Sequence, residues 1–265
     1  MRLLKYFFHH SFFVAFCAAS LTSLTYHLQQ QQLDLSVIAI VFFSTLGAYN
    51  FYWLAVMLLS DKVSRLPFSL SRYLMKLIWI FLSFVAVFDY IWYRLYLFGW
   101  MILPIISTLM YTFWTISGIH SNRQHHLSSV LGKTFLLSLT WTFTTVLLPN
   151  YTSCAIIQQQ QPQWVFFSRL FFLWMLCIIF EMKDAYEDVT LQRNLFYVMF
   201  ILLVLQSFFV MLMPANQFFI HVLFASLAFL LFILSWTGRR GYLFYYLGVD
   251  GLMLLYAFSL ILTTI

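Results

Sequence analysis

Long apolar stretches separated by short polar ones run the whole length of the chain. A helix rises 1.5 Å per residue, so about 20 largely apolar residues are needed to cross roughly 30 Å of hydrocarbon. By that rule the pattern predicts nine helical spans, at 7–28, 35–59, 73–91, 94–117, 132–149, 163–182, 195–213, 217–236 and 242–263. The closest division falls at the short Ile91-Trp92-Tyr93-Arg94 stretch. One helix through it would exceed any bilayer, so two spans are expected there. The expected fold is all-α: a polytopic bundle of about nine transmembrane helices that forms a single domain over 1–265.

Composition agrees. Hydrophobic residues make up 63% of the chain and charged residues 8%, against roughly 45–50% and 25% in a soluble domain. A surface with so few charges cannot face water, so cytosolic enzymes, disordered tails and secreted disulfide scaffolds are excluded. The formal net charge of +6 comes from basic residues scattered along the chain. Such a surplus sets topology and meets anionic lipid, and it implies no nucleic-acid partner. Cys17, Cys154 and Cys177 lack metal-ligand spacing, and Cys17 and Cys177 read as small hydrophobes within apolar runs. The apolar N-terminal stretch reads as a retained first span rather than a signal peptide.

With nine spans, one side of the membrane receives Arg2, Lys5, Lys62, Arg65, Arg72, Lys76, Arg123, Lys133, Lys183, Arg193, Arg239 and Arg240. The other receives Arg94, and Arg169 lies inside the sixth span toward that side. Basic residues gather on the cytoplasmic side, so the N-terminus is expected there. The glutamine runs Gln29–Gln32 and Gln158–Gln161 then fall in outer loops as solvated hinges.

Half of the acidic residues cluster at the cytoplasmic end of the sixth span: Glu181, Asp184, Glu187 and Asp188. On a continuing helix, Glu181, Asp184 and Asp188 share one face, with the two aspartates about 6 Å apart along the axis. Carboxylates this close repel unless a cation lies among them, and hard oxygen ligands suit Mg²⁺ shared with substrate phosphates. Lys183 and Arg193 are nearby candidates for phosphate contacts. The plainer reading is an acidic solvated loop balanced by its own basic residues.

These residues resemble the UbiA superfamily of intramembrane prenyltransferases. FEMKDAYEDVTLQRNL resembles that family's second acidic motif, F-D-I-R-D-x-x-x-D. Glu181, Asp184 and Asp188 match the acidic positions, and Lys183 stands at the usual Arg. The segments SFFVAFCAASLTSLTYHL, TLGAYNFYW and YYLGVDGLMLL are similar to a Bacteroidetes-type branch of the superfamily. The first motif, NxxxDxxxD, departs from the pattern: Asn50 is present, but Leu54 and Leu58 replace its aspartates. Asp61 can substitute only on a helix that continues that far. The resemblance implies a UbiA-like bundle in a bacterial inner membrane, acting in lipid-quinone or related isoprenoid metabolism. Asp184 and Asp188, helped by Glu181, would hold Mg²⁺ on a prenyl diphosphate, and Asn50, Lys62, Arg65, Arg123, Lys133, Lys183 and Arg193 would contact the substrate. The prenyl chain would lie in a Phe- and Trp-rich groove and pass to an aromatic or other lipophilic acceptor. Loss of the first motif leaves a catalytically silent binding or scaffolding relative as the alternative.

Two further charges lie within spans. Asp250, between Gly248 and Gly251, costs on the order of 2.5–3.5 kcal/mol at mid-membrane unless it finds a partner. The glycines allow another helix to approach closely. Arg169 carries a similar cost, and Asp250 or Asp89 is its expected partner. His120, His125 and His126 read as solvated loop residues, and His221 as a packing residue. No GxSxG, P-loop, GxGxxG or HExxH pattern occurs, so hydrolase, NTPase, Rossmann and zincin chemistry have no support.

Overall fold

A computed structural model of the protein describes residues 11–59, 70–93, 96–121, 127–152, 162–182, 188–211, 215–237, 241 and 244–264. Regular structure among these residues is entirely helical. In chain order the helices are α1 (Phe12–Leu28), α2 (Leu35–Leu59), α3 (Leu70–Tyr93) and α4 (Tyr96–Ser121). α5 runs from Leu127–Thr142 through a wider π-helical turn, Phe143–Leu147, into Leu148–Thr152. Then come α6 (Pro162–Met182), α7 (Val189–Val210), α8 (Ala215–Trp236) and α9, which starts as a π-helix at Phe244–Asp250 and becomes α-helical over Gly251–Thr264.

Seven helices among the described residues are long and apolar enough to cross a membrane: α2 to α8. Phe12–Leu28 and Leu247–Leu262 are shorter apolar helices. Large apolar side chains such as Phe81, Phe84, Phe113 and Phe219 are exposed on the outside of the bundle, where only lipid satisfies them. The protein is a multi-pass membrane protein.

Several helices start earlier than the apolar runs. α7 begins at Val189 rather than 195, because the Asp188 side chain caps it by accepting from the Leu191 N–H at 2.9 Å. α5 begins at Leu127 rather than 132, and α3 at Leu70 rather than 73. In each case the helix extends past the hydrocarbon-like stretch into residues that a hydropathy rule discards.

The interior is built around α6. In its membrane window 67% of residues are buried, against 11% for α3, so α6 is central and α3 lies at the rim. α6 packs on α5, α7 and α8, while α1 packs between α2 and α9. Phe172, Met175, Leu176 and Ile179 of α6 join Leu21 and Leu24 of α1 and Tyr256 and Leu260 of α9 in one apolar core. Gly248 and Gly251 do not create the closest helix approaches. A side chain at Gly251 would meet nothing within 4 Å, and at Gly248 only Leu231 at ordinary contact distance. The tight crossings are at Gly47, where an added Cβ would lie 2.9 Å from Ser83 on α3, and at Gly132, where it would lie 2.6 Å from Trp114 on α4.

Arg169 is fully buried, and its expected carboxylate partners are wrong. Asp89 is exposed on α3, and Asp250 forms no ion pair with it among the described residues. Instead one guanidinium nitrogen, Nη1, donates to the Leu21 carbonyl and the Thr25 hydroxyl, both at 2.7 Å, and to the Thr145 carbonyl at 3.4 Å. Thr145 lies in the π turn of α5, and its carbonyl also accepts from Thr25 at 2.6 Å. Widening a helix to the π form displaces carbonyls from their usual donors, so the turn supplies acceptors to a cation with no paired anion among the described residues. Asp250 is likewise buried, and its Oδ2 has no hydrogen-bond partner. His221 is a packing residue, held by a hydrogen bond between its Nδ1 and the Tyr256 hydroxyl at 2.9 Å. The first glutamine run is only partly a solvated hinge. Gln30 is exposed in a left-handed turn (φ 53°), whereas Gln29 is buried at the end of α1.

Candidate functional site

α5 starts, α6 stops and α7 starts at the same end of the bundle, and Glu181 and Asp188 lie at that junction. α6 ends at Met182, and Asp188 stands outside it with extended backbone (φ −104°, ψ 94°). Asp188 is therefore not on a helical continuation of α6. Asp184 and Lys183 lie outside the described residues, as do Lys62, Arg65, Arg123 and Asp61.

The remaining site residues separate into two groups. Glu181 is paired with Lys133 of α5 at 2.5 Å, and both side chains are largely buried. The pair is braced by Trp174 of α6, whose ring N–H donates to the hydroxyl of Thr134, next to Lys133, at 3.1 Å. Asp188 caps α7, and Arg193 is exposed one turn further on. Asn50 is fully buried in α2, its side-chain amide donating to the Leu46 carbonyl at 2.8 Å. Of the two leucines in the first motif, Leu54 is buried and Leu58 exposed.

A cavity of about 380 Å³ opens between α2, α3, α4 and α5, within the range of small-molecule sites. It lies near the midpoints of all four helices, from Phe43 to Tyr52 on α2 and from Leu137 to Thr144 on α5. Its walls are mostly aromatic and aliphatic, with Tyr49, Tyr52, Tyr111 and Trp141 contributing polar edges. The Trp141 ring N–H donates to the Tyr49 hydroxyl at 3.1 Å, and Tyr52 and Tyr111 lie ring against ring at 5.4 Å. The wall hydroxyls of Thr108, Thr140 and Thr144 donate to their own helix carbonyls, so the lining is effectively less polar than its residue names suggest. Lys133 lies one helical turn before the cavity-lining Leu137 on α5, which places the Lys133–Glu181 pair toward one end of the cavity.

The resemblance implied a Phe- and Trp-rich groove for a prenyl chain, without naming its walls. Tyr49 and Tyr52 sit in the TLGAYNFYW segment singled out there, but their partners on α4 and α5 had no signal in spacing. The role of Asp188 had only a weak one: aspartate is a favoured N-cap residue, but six residues, VTLQRN, separate it from the apolar run at 195.

The described donor set does not by itself fit a magnesium ion. Glu181 is committed to Lys133, Asp188 to a backbone N–H, and no cluster of three His, Cys, Asp or Glu able to hold a metal occurs among the described residues. Compared with known proteins, the chain matches no family model, no curated protein and no solved structure.

Proposed function

We propose that this protein is a UbiA-like intramembrane prenyltransferase, with the N-terminus on the cytoplasmic side of a bacterial inner membrane and about nine spans. The observation that carries the reading is the aromatic-lined cavity at mid-membrane with a buried Lys133–Glu181 pair toward one end. That arrangement suits an amphiphile with a long apolar chain and a charged head. The chain takes the cavity, and the head lies at the α5–α6–α7 junction, where Lys133 and Arg193 supply cationic donors.

In the proposed reaction the bond between the allylic carbon and the diphosphate oxygen breaks, and its electron pair leaves on diphosphate. The electron-rich aromatic or other lipophilic acceptor attacks the allylic cation and then releases a proton. Rings of Tyr49, Tyr52 and Trp141 offer π faces to the cation and exclude water from it. Lys133 has to exchange Glu181 for the diphosphate, which frees the Glu181 carboxylate. Mg²⁺ belongs to the proposal, with Asp184 and Asp188 as its ligands and Glu181 joining them once Lys133 has released it.

Leu54 and Leu58, together with the commitment of Glu181 to Lys133, favour a second reading: a silent member of the same fold that binds a prenyl lipid without transferring it. Purified protein supplied with radiolabelled prenyl diphosphate, a lipid extract and Mg²⁺ distinguishes the two. Prenyl transfer to an extractable lipid, lost in Asp184→Asn, is expected. Transfer that persists undiminished in both Asp184→Asn and Asp188→Asn removes the proposed mechanism, and complete absence of transfer supports the silent relative.

A further inference from the structure

Arg169 has a second edge that the fold leaves unused. Nη1 makes its hydrogen bonds, to Leu21, Thr25 and Thr145. Nε and Nη2 are buried and find no hydrogen-bond partner among the described residues. These two nitrogens form one side of the guanidinium fork, whose parallel N–H groups suit a single anion. An arginine stays protonated even when buried, so the charge cannot be shed.

The carboxylates among the described residues do not answer it. Glu181 is paired with Lys133, Asp188 caps α7 and Asp89 is exposed on α3. Asp34 accepts from the Ser36 and Val37 N–H groups at the start of α2, and Asp250 forms no ion pair with Arg169.

Other donors lie at the same depth. Arg169 stands one helical turn before Phe172 on α6, so the two side chains share a face. The Phe172 ring meets Tyr256 of α9 at 4.7 Å, and the Tyr256 hydroxyl is 2.9 Å from Nδ1 of His221 on α8. At 1.5 Å per residue, Arg169, His221 and Tyr256 all lie about 9–12 Å in from the end of the bundle opposite the α5–α6–α7 junction. With the Tyr256 hydroxyl donating to Nδ1, the ring proton of His221 sits on Nε2. That atom too is buried without a partner among the described residues. Buried donors without acceptors are costly, and a buried cation without an anion is costlier.

We propose that the Nε–Nη2 edge of Arg169 holds a small monovalent anion, chloride in its chemistry, buried in the layer that Arg169 shares with Tyr256 and His221. One negative charge matches one guanidinium, whereas a dianion would leave a lone negative charge in place of a lone positive one. The anion is small because Phe172 and Tyr256 are part of the packed core here. Its role is to neutralise the charge that joins α6 to α1 and α5. None of the three residues lines the cavity between α2 and α5, so the site is independent of prenyl transfer.

The test uses the full-length protein in detergent, exchanged into sodium gluconate. Thermal unfolding is followed by tryptophan fluorescence as chloride replaces gluconate at constant ionic strength. A saturable rise in melting temperature is expected, reaching about 5–10 °C at a hundred times the apparent dissociation constant, and bromide should act alike. Arg169→Gln should abolish the rise. A wild-type melting temperature indifferent to chloride overturns the site, whether or not the variant folds. An equal rise in Arg169→Gln, which puts the ion elsewhere, overturns it as well, and so does stabilisation by formate with none by chloride. If Arg169→Gln does not fold, bromide-soaked crystals of the wild type decide the matter. An anomalous peak against the Arg169 guanidinium supports the site, and the lack of a peak there overturns it.

Discussion

Lys133 and Glu181 form an ion pair deep enough that neither charge can be left alone. Removing one partner of a buried pair strands the other, at a cost of about 3–5 kcal/mol. Lys133→Met should fall near the lower end of that range, since the pair retains some contact with solvent. The double variant Lys133→Met/Glu181→Gln should recover most of the loss, and denaturant unfolding in detergent measures both. Arg169 makes a sharper case. Its Nη1 alone reaches oxygens of α1 and of the π turn in α5, a reach that lysine, one bond shorter, does not match. Arg169→Lys should thus destabilise the fold by several kcal/mol despite keeping the charge. Unfolding indistinguishable from wild type would show that these contacts contribute nothing. The sequence reveals that both charges are expensive, but not that carbonyls exposed by a π turn, rather than a carboxylate, satisfy Arg169.

Helix ends and crossings depend on short-range chemistry. Asp188→Ala removes the side-chain acceptor at the start of α7 and should cost about 1 kcal/mol, with faster amide exchange confined to the first turn of α7. The same variant read for prenyl transfer separates a capping role from a metal-binding one: a cap alone lowers stability without a matching loss of activity per folded molecule. At the α2–α3 crossing Gly47 leaves no room for a side chain. Gly47→Val should cost about 1–3 kcal/mol by overpacking, whereas a similar change at Gly251, which faces open space, should be near neutral. The apolar runs make the helices themselves legible, because apolar length is what the bilayer demands. The polar first turn of α7 is not, since Asp188 starts that helix by hydrogen bonding rather than by hydropathy. Nor are the close crossings: Gly47 and Gly132 are distinguished from Gly251 only by what lies across from them.

The arrangement of the helices decides what the protein can hold. The cavity arises because α3 and α4 part on one side of α2 and α5, a property of packing that no linear pattern encodes. The distribution of basic residues predicts an orientation. Reporter fusions within 60–69 and 183–187 should read as cytoplasmic and fusions within 153–161 as external, and any other result reverses or breaks the nine-span topology. The transferase proposal is tested most directly by binding of a non-hydrolysable prenyl diphosphate analogue to the purified protein, with and without millimolar Mg²⁺, in wild type and Asp184→Asn. Magnesium-dependent binding that Asp184→Asn abolishes is the predicted result. Absence of binding at millimolar Mg²⁺, or binding indifferent to both the ion and the substitution, would contradict it.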